Sequence, residues 1–263
     1  MNKNEIRDAV RERYAGIAES NGVEGCCSTS KSTSCCKSQK DFDLYSLKLG
    51  YSDEDVKQVP ETANLGLGCG NPQAIANLKK GETVIDLGSG GGFDVFLAAR
   101  QVGEKGKVIG VDMTPAMITK ARSNAEKIDF RNVEFRLGEI ENLPVADGIA
   151  DVIISNCVIN LSPEKQKVFN DAFRVLKSGG RLAISDTVSL KEIPEEVKND
   201  MQLYSECISG ASSVEAIEQM LSIAGFKNIR ISPKLKSKEL ITEWDSNGFD
   251  EYVVSADIEA VKP

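Results

Sequence analysis

The sequence of 263 residues contains no histidine, and that absence removes a large part of enzyme chemistry. Ser-His and Cys-His nucleophile pairs, histidine general bases and His-ligated zinc are excluded at once. Basic residues are in deficit: 32 Lys and Arg against 40 Asp and Glu give a formal charge of −8. That balance disfavours nucleic acid or an anionic membrane surface as the main partner. No run reaches the ~18 to 20 apolar residues that span a bilayer. The opening Met-Asn-Lys-Asn-Glu-Ile-Arg-Asp is polar and of mixed charge, without the apolar region of a secretory signal. These absences predict a cytoplasmic protein.

What is present is an odd number of thiols. Seven cysteines in a chain without an export signal are core residues, soft-metal ligands or redox groups more readily than structural disulfides. Hydrophobic residues at 41% and 22 glycines are ordinary for a globular chain.

Periodicity divides the chain into three parts. Over residues 1–72, Ile6, Val10, Tyr14 and Ile17 fall on one face of an amphipathic helix that ends near Ser20. A low-complexity stretch follows, Cys26-Cys27 and Cys35-Cys36 on either side of a Ser/Thr/Lys spacer, polar except for its four thiols. Two short helices are expected between Asp41 and Gln58, the second capped by Ser52, and Asn71 and Pro72 start another after a glycine-rich loop.

Over 73–190 strand and helix alternate. Strands are expected at Thr83–Leu87, Lys107–Val111, Val133–Leu137, Val152–Ser155 and Arg181–Ser185. Helices are expected between them, the last running to Lys177-Ser178-Gly179-Gly180. Over 191–263, one helix from Glu195 to Cys207, another from Val214 to Ala224, and two final strands flank a Lys-rich insert. Five βα units and a terminal strand pair specify an α/β fold with a doubly wound sheet and right-handed crossovers.

The chemistry starts at Val84-Ile85-Asp86-Leu87-Gly88-Ser89-Gly90-Gly91-Gly92-Phe93. Three alternate glycines directly after a strand let a ligand lie against the backbone, at the start of a helix whose amides point toward it. A dinucleotide fingerprint fails here, because Phe93 stands where its third glycine is required. The pattern apolar-apolar-Asp-x-Gly-x-Gly-x-Gly resembles instead the first motif of class I S-adenosylmethionine (SAM) methyltransferases, whose Rossmann-like sheet matches the expected fold.

That resemblance implies cofactor roles for Asp86, Gly88, Gly90 and Gly92. It also gives Asp112 to the ribose hydroxyls, Met113 to the adenine face, and Glu139 and the Ile140 amide to the adenine edge. Asn156 would lie beside the methionine moiety. Tyr14 resembles a tyrosine that closes over SAM in related enzymes, although helix packing alone would also bury it.

Cys157 follows Asn156 at the carboxyl end of the fourth strand, where ligands of open α/β sheets bind. Cys69 lies in a loop between Gly68 and Gly70, with little to pack against, and Cys207 ends a helix after the fifth strand. Soft thiolates select thiophilic centres. Trivalent arsenic bound by three sulfurs keeps a nucleophilic lone pair and needs no base, so the missing histidine is no obstacle.

Asn64-Leu65-Gly66-Leu67-Gly68-Cys69-Gly70-Asn71-Pro72, Ser155-Asn156-Cys157-Val158-Ile159-Asn160-Leu161 and Glu206-Cys207-Ile208-Ser209-Gly210-Ala211 closely resemble signatures of the arsenite SAM methyltransferases. The resemblance runs from about Val10 to Pro263. It implies that Cys69, Cys157 and Cys207 hold As(III), free or delivered as a thiol conjugate; of the two vicinal pairs, Cys35 and Cys36 lie nearer the core and are the candidate accessory pair. It further implies successive methyl transfer from SAM, detoxification as the outcome, and a thiol reductant of thioredoxin or glutathione type. No resident metal is expected. The doubled vicinal pairs depart from the family pattern, as do Ser212 and Ser213 where larger apolar residues are usual. The alternatives are a SAM-dependent C- or O-methyltransferase of a small organic molecule and a non-catalytic soft-metal-binding protein.

Overall fold

The structure, a computed structural model, describes residues 2–20, 39–128, 130–198, 200–237 and 252–263. Its centre is an eight-stranded sheet. In chain order the strands are β1 Thr83–Leu87, β2 Lys107–Asp112, β3 Val133–Leu137, β4 Ala150–Asn156, β5 Leu176–Ser189, β6 Ser212–Ser213, β7 Lys227–Pro233 and β8 Val253–Val261. They lie in the order β3-β2-β1-β4-β5-β8-β7, with the two-residue β6 beside β5. The first five are parallel to one another, and β8 runs antiparallel to both β5 and β7. This is the doubly wound sheet with a terminal strand pair that the alternation of periods predicts, and the pair is antiparallel.

The strand sequences explain the layering. Strands covered on both faces read as unbroken apolar runs. In β1, Ile85 and Leu87 face a core built with Val168, Phe169 and Leu221, whereas Val84 faces Val95, Phe96 and Ile118. The first of these cores holds α7 (Lys165–Val175) and α10 (Val214–Ala224); the second holds α5 (Phe93–Val102) and α6 (Pro115–Lys127). Removing a ring such as Phe169, which is fully buried, would cost about 3–5 kcal/mol.

Helix boundaries follow local chemistry. Ser213 caps α10 by accepting the Ala216 N–H, and Gly225 closes it at φ +105°. Pro115 opens α6, where no intrahelical donor is needed. The Asn71 side chain accepts the Ala74 N–H at 3.2 Å, so it caps α4 (Gln73–Ala76) much as expected. On the N-terminal side, α1 (Lys3–Glu19), α2 (Gln39–Lys48) and α3 (Asp53–Lys57) precede the sheet.

Two expectations need correction. The single helix from Glu195 to Cys207 is broken into α8 (Glu195–Lys198) and α9 (Met201–Ser205); Asp200 lies extended and caps the second piece by accepting the Leu203 N–H. Helix α7 stops at Val175, and Leu176–Gly180, expected to end that helix, already forms the start of β5. Among the described residues, no helix is long and apolar enough to cross a membrane.

Candidate functional site

At the switch point between β1 and β4 the carboxyl ends of the strands open into a cleft. Asp86, Gly88, Ser89, Gly90, Asp112, Met113, Ile140, Asn156 and Cys157 line it, together with Tyr14 from α1. Gly88 turns the chain at φ +70°, and a Cβ there would stand 2.3 Å from a Val158 methyl. Gly90 is also left-handed, at φ +51°, and has open space where a side chain would be. Gly92 begins α5 at φ +95°.

Asp112 accepts the Gly90 N–H at 3.0 Å and the Thr114 N–H at 2.8 Å, which fixes its carboxylate at the end of β2. Burial raises the carboxyls of Asp86, Asp94 and Asp112 above the ordinary range. Four acids thus border the cleft, counting Glu141, against one arginine, Arg7. The Ser89 hydroxyl is buried without a hydrogen-bond partner. An acidic, glycine-floored cleft with an unused hydroxyl suits a nucleoside carrying positive charge.

Glu139 does not line this cleft. Its carboxylate is paired with Arg11 at 3.2 Å and Arg7 at 3.5 Å on α1, while its neighbours Ile140 and Glu141 face the cavity. Tyr14 is placed both ways that the sequence allowed. It packs beside the thiols and borders the cleft, and its hydroxyl donates to the Ser205 carbonyl at 3.4 Å.

Asn156 sits between the cleft and Cys69. Its side-chain oxygen accepts the backbone N–H of Cys69 at 3.0 Å and of Gly70 at 3.3 Å, while its amide donates to the Gly70 carbonyl at 2.9 Å. The same amide donates to the Tyr51 hydroxyl at 3.1 Å, and Tyr51 donates to Asp94 at 2.9 Å. The loop can approach this closely because of its glycines. A Cβ on Gly68 would lie 2.6 Å from the Asn156 amide nitrogen, and one on Gly70 would lie 2.7 Å from Ser185.

The three separated thiols of the sequence converge. Cys69, Cys157 and Cys207 are 3%, 4% and 3% exposed, are not joined in disulfides, and share one small cluster with Ile6, Val10, Leu161 and Tyr204. Cys157 alone of the three borders the cleft. The Cys207 thiol donates to the Cys157 carbonyl at 3.2 Å, and the Cys69 thiol to the Ser185 carbonyl at 3.6 Å. The Cys207 and Cys69 thiols on either side, together with burial, push the Cys157 thiol well above its usual range; burial also raises Cys69.

Cys157 and Cys207 are both left-handed, at φ +58° and +62°, a conformation that costs a side-chain-bearing residue about 1–2 kcal/mol. A polar network holds them there. Asp186 accepts the Ile159 N–H at 2.8 Å, the Asn160 amide at 2.9 Å and the Thr187 N–H at 2.7 Å. Thr187 in turn donates to the Cys207 carbonyl at 2.7 Å, and the Cys157 N–H donates to the Ser185 carbonyl at 2.8 Å. Burial pushes the Asp186 carboxyl up to about 6.

Sequence reasoning passed over Tyr51, Asp94, Glu141, Asn160, Asp186 and Thr187. One signal was available for Asp186, a carboxylate at the end of an otherwise apolar strand, like Asp86 and Asp112. Tyr51 carries no such mark, because its role depends on a contact with Asp94 across 43 residues. Cys35 and Cys36 lie outside the described residues.

The chain is similar to known proteins over most of its length. A family model described as "Methyltransferase domain" matches residues 78–225. The arsenite methyltransferase of Halobacterium salinarum is 53% identical over 98% of this chain and 67% of its own length. The human arsenite methyltransferase is 40% identical over 66% of this chain and 48% of its own. The crystal structure of an arsenic(III) SAM methyltransferase from Chlamydomonas reinhardtii superposes with a TM-score of 0.63 at 32% identity, covering 84% of this chain and 73% of that one. The chain therefore spans two thirds of the archaeal relative and about half of the human one.

Proposed function

The chain belongs to the arsenite methyltransferase family of SAM-dependent methyltransferases, and from that premise we propose that it methylates trivalent arsenic held by Cys69, Cys157 and Cys207. The observation that carries this reading is the convergence of three buried, unpaired thiols, one of which borders the cleft. As(III) supplied as arsenous acid exchanges three hydroxyls for three thiolates and releases three waters, so the thiols need no general base. The raised proton affinity of Cys69 and Cys157 favours this neutral exchange over their prior ionisation.

The cofactor cradle is assigned to Asp86, Gly88, Gly90, Gly92, Asp112, Met113, Ile140 and Asn156, with Tyr14 as its cover. Glu139 would reach the cofactor only by leaving Arg7 and Arg11, and Glu141 is the acid already directed into the cleft. SAM bound there supplies a sulfonium methyl, whose transfer to the arsenic lone pair leaves S-adenosylhomocysteine. The chain contributes alignment and exclusion of water rather than proton transfer. Cys157 anchors the arsenic at the cleft wall, and Cys69 and Cys207 fix the direction of the lone pair from behind. Cleft acids favour a cationic donor and become less well matched once the positive charge is lost.

The three-part division keeps a functional sense in this reading. Residues 1–72 supply the cover and the first thiol, 73–190 the cofactor site and the second, and 191–263 the third. Cys35 and Cys36 are proposed as an accessory pair, and a thioredoxin- or glutathione-type thiol as the reductant, acting in the cytoplasm. Mass spectrometry of arsenic species after incubation with SAM, arsenite and a dithiol tests the proposal. Methylarsenicals formed with S-adenosylhomocysteine support it, and arsenite-independent SAM turnover on an organic acceptor would replace it.

A further inference from the structure

We propose that Cys69, Cys157 and Asp186 also form a site for a thiophilic divalent cation of the zinc class, which competes with As(III) for the two shared thiols. The inference rests on the reading of those thiols as arsenic ligands, and the competition follows from it. The sulfur atoms of Cys69 and Cys157 and a carboxylate oxygen of Asp186 all lie within 4.8 Å of one another, and all three residues are buried. A tetrahedral centre with bonds of about 2.3 Å to sulfur sets its ligand atoms about 3.8 Å apart. Small side-chain rotations therefore close the set.

The two guests differ in valence and shape. As(III) is neutralised by three thiolates, and its lone pair fills the fourth corner. A divalent cation has no lone pair and takes sulfur, nitrogen or oxygen ligands at all four corners. The chain has no histidine, and the ligand atoms that lie within 4.8 Å of one another pair the two sulfurs with the Asp186 carboxylate rather than with Cys207. Asp186 has room for this: its Oδ2 accepts one hydrogen bond, from Ile159, and its Oδ1 accepts from Asn160 and Thr187.

Charge and protons balance. The cation displaces one proton from each of two thiols, and both leave to solvent. Two positive charges against two thiolates and one carboxylate leave −1 on the cluster. Lys165, half-buried and attracted to Asp186, lies where it offsets that charge. The structural role of Asp186 explains its three hydrogen bonds but not its carboxylate oxygen beside two thiols. Cys207 remains outside the cation set, and solvent supplies the fourth corner.

The test uses the full chain with Cys26, Cys27, Cys35 and Cys36 changed to Ser, kept anaerobic with a phosphine reductant. Co2+ serves as the spectroscopic probe and Zn2+ as the competitor. One Co2+ should bind with sulfur charge-transfer and tetrahedral bands, Zn2+ should displace it, and Zn2+ should raise the arsenite needed for half-saturation. Asp186→Asn should weaken Co2+ binding at least about tenfold. Cys207→Ser should lose arsenite binding yet keep Co2+ within about threefold.

Absence of a Co2+ complex, or full Co2+ affinity in an Asp186→Asn protein that still binds SAM, would overturn the proposal. If Asp186→Asn does not fold, Cys207→Ser decides: loss of Co2+ together with arsenite would mean a three-thiol site and no role for Asp186. Retention of arsenite by Cys207→Ser would instead defeat the arsenic assignment, while the Asp186 result would still judge the cation site.

Discussion

The side chain of Asn156 grips the backbone of Cys69: its oxygen accepts the Cys69 N–H at 3.0 Å, and its amide nitrogen donates to the next residue's carbonyl at 2.9 Å. One residue thus ties the loop carrying the first thiol to the strand end that carries the second, since Cys157 follows it directly. The cleft and the thiol cluster share a wall at this point. Asn156 is therefore a positioning residue for the loop that carries the first thiol.

Asn156→Ala should break that grip. It leaves the Cys69 and Gly70 N–H groups without their acceptor, at about 1–3 kcal/mol per buried group. Arsenite-dependent methyl transfer should fall at least about tenfold, and arsenite affinity should fall more than SAM affinity. Equal loss of both affinities would indicate a role confined to the cofactor.

Cys207→Gly separates stability from function. Glycine relieves the left-handed backbone at φ +62°, a gain of about 1–2 kcal/mol. Added chain entropy of about 0.5–1 kcal/mol and a similar loss of buried surface offset it. The melting temperature should stay close to that of the unsubstituted chain while arsenite binding is lost, as thermal denaturation and arsenite titration would record.

Gly210→Ala should act in the opposite sense. A Cβ there would stand 2.2 Å from the Asn160 carbonyl oxygen, a backbone atom that cannot swing aside. Destabilisation of about 1–3 kcal/mol is expected. A denaturant titration measures it, and displacement of the neighbouring Cys207 should lower methyl transfer as well.

Helix α1 should loosen at acid pH. Glu164 meets Lys167, Arg7 and Lys3 at 2.9, 2.7 and 3.0 Å, and these partners lower its carboxyl from 4.5 to about 2. A carboxyl depressed in the folded state stabilises fully above its unfolded value, and that contribution is lost as pH falls through the folded one. The melting temperature of Glu164→Gln should therefore lie below that of the unsubstituted chain above pH 4.5 and converge with it toward pH 2. A gap that is constant with pH would contradict the ion-pair account.

Much of this architecture can be read in the order of residues. The strand ends, the glycine turn at Gly88, Gly90 and Gly92, and the sheet with its final strand pair follow from periodicity and turn chemistry, which are local. Asp86 and Asp112 are visible because a carboxylate at the end of a buried strand needs a reason. The break at Asp200 is hidden, since the flanking residues favour a helix and the interruption comes from Asp200 capping the next turn. Also hidden are the Glu139 pairing with α1 and the Tyr51–Asp94–Asn156 chain, because such contacts join segments far apart in sequence. The left-handed state of Cys157 and Cys207 is set by the Asp186 network and has no compositional trace.

The central claim is that three thiols hold one arsenic atom at the wall of the cofactor cleft. X-ray absorption spectroscopy on the arsenite-loaded chain, with the four N-terminal cysteines changed to Ser, tests it most directly. Three sulfur neighbours around arsenic are predicted, and that bound arsenic should be lost when any one of Cys69, Cys157 or Cys207 is changed to Ser. A first shell of oxygen, or a three-sulfur shell that persists in those single variants, would contradict it.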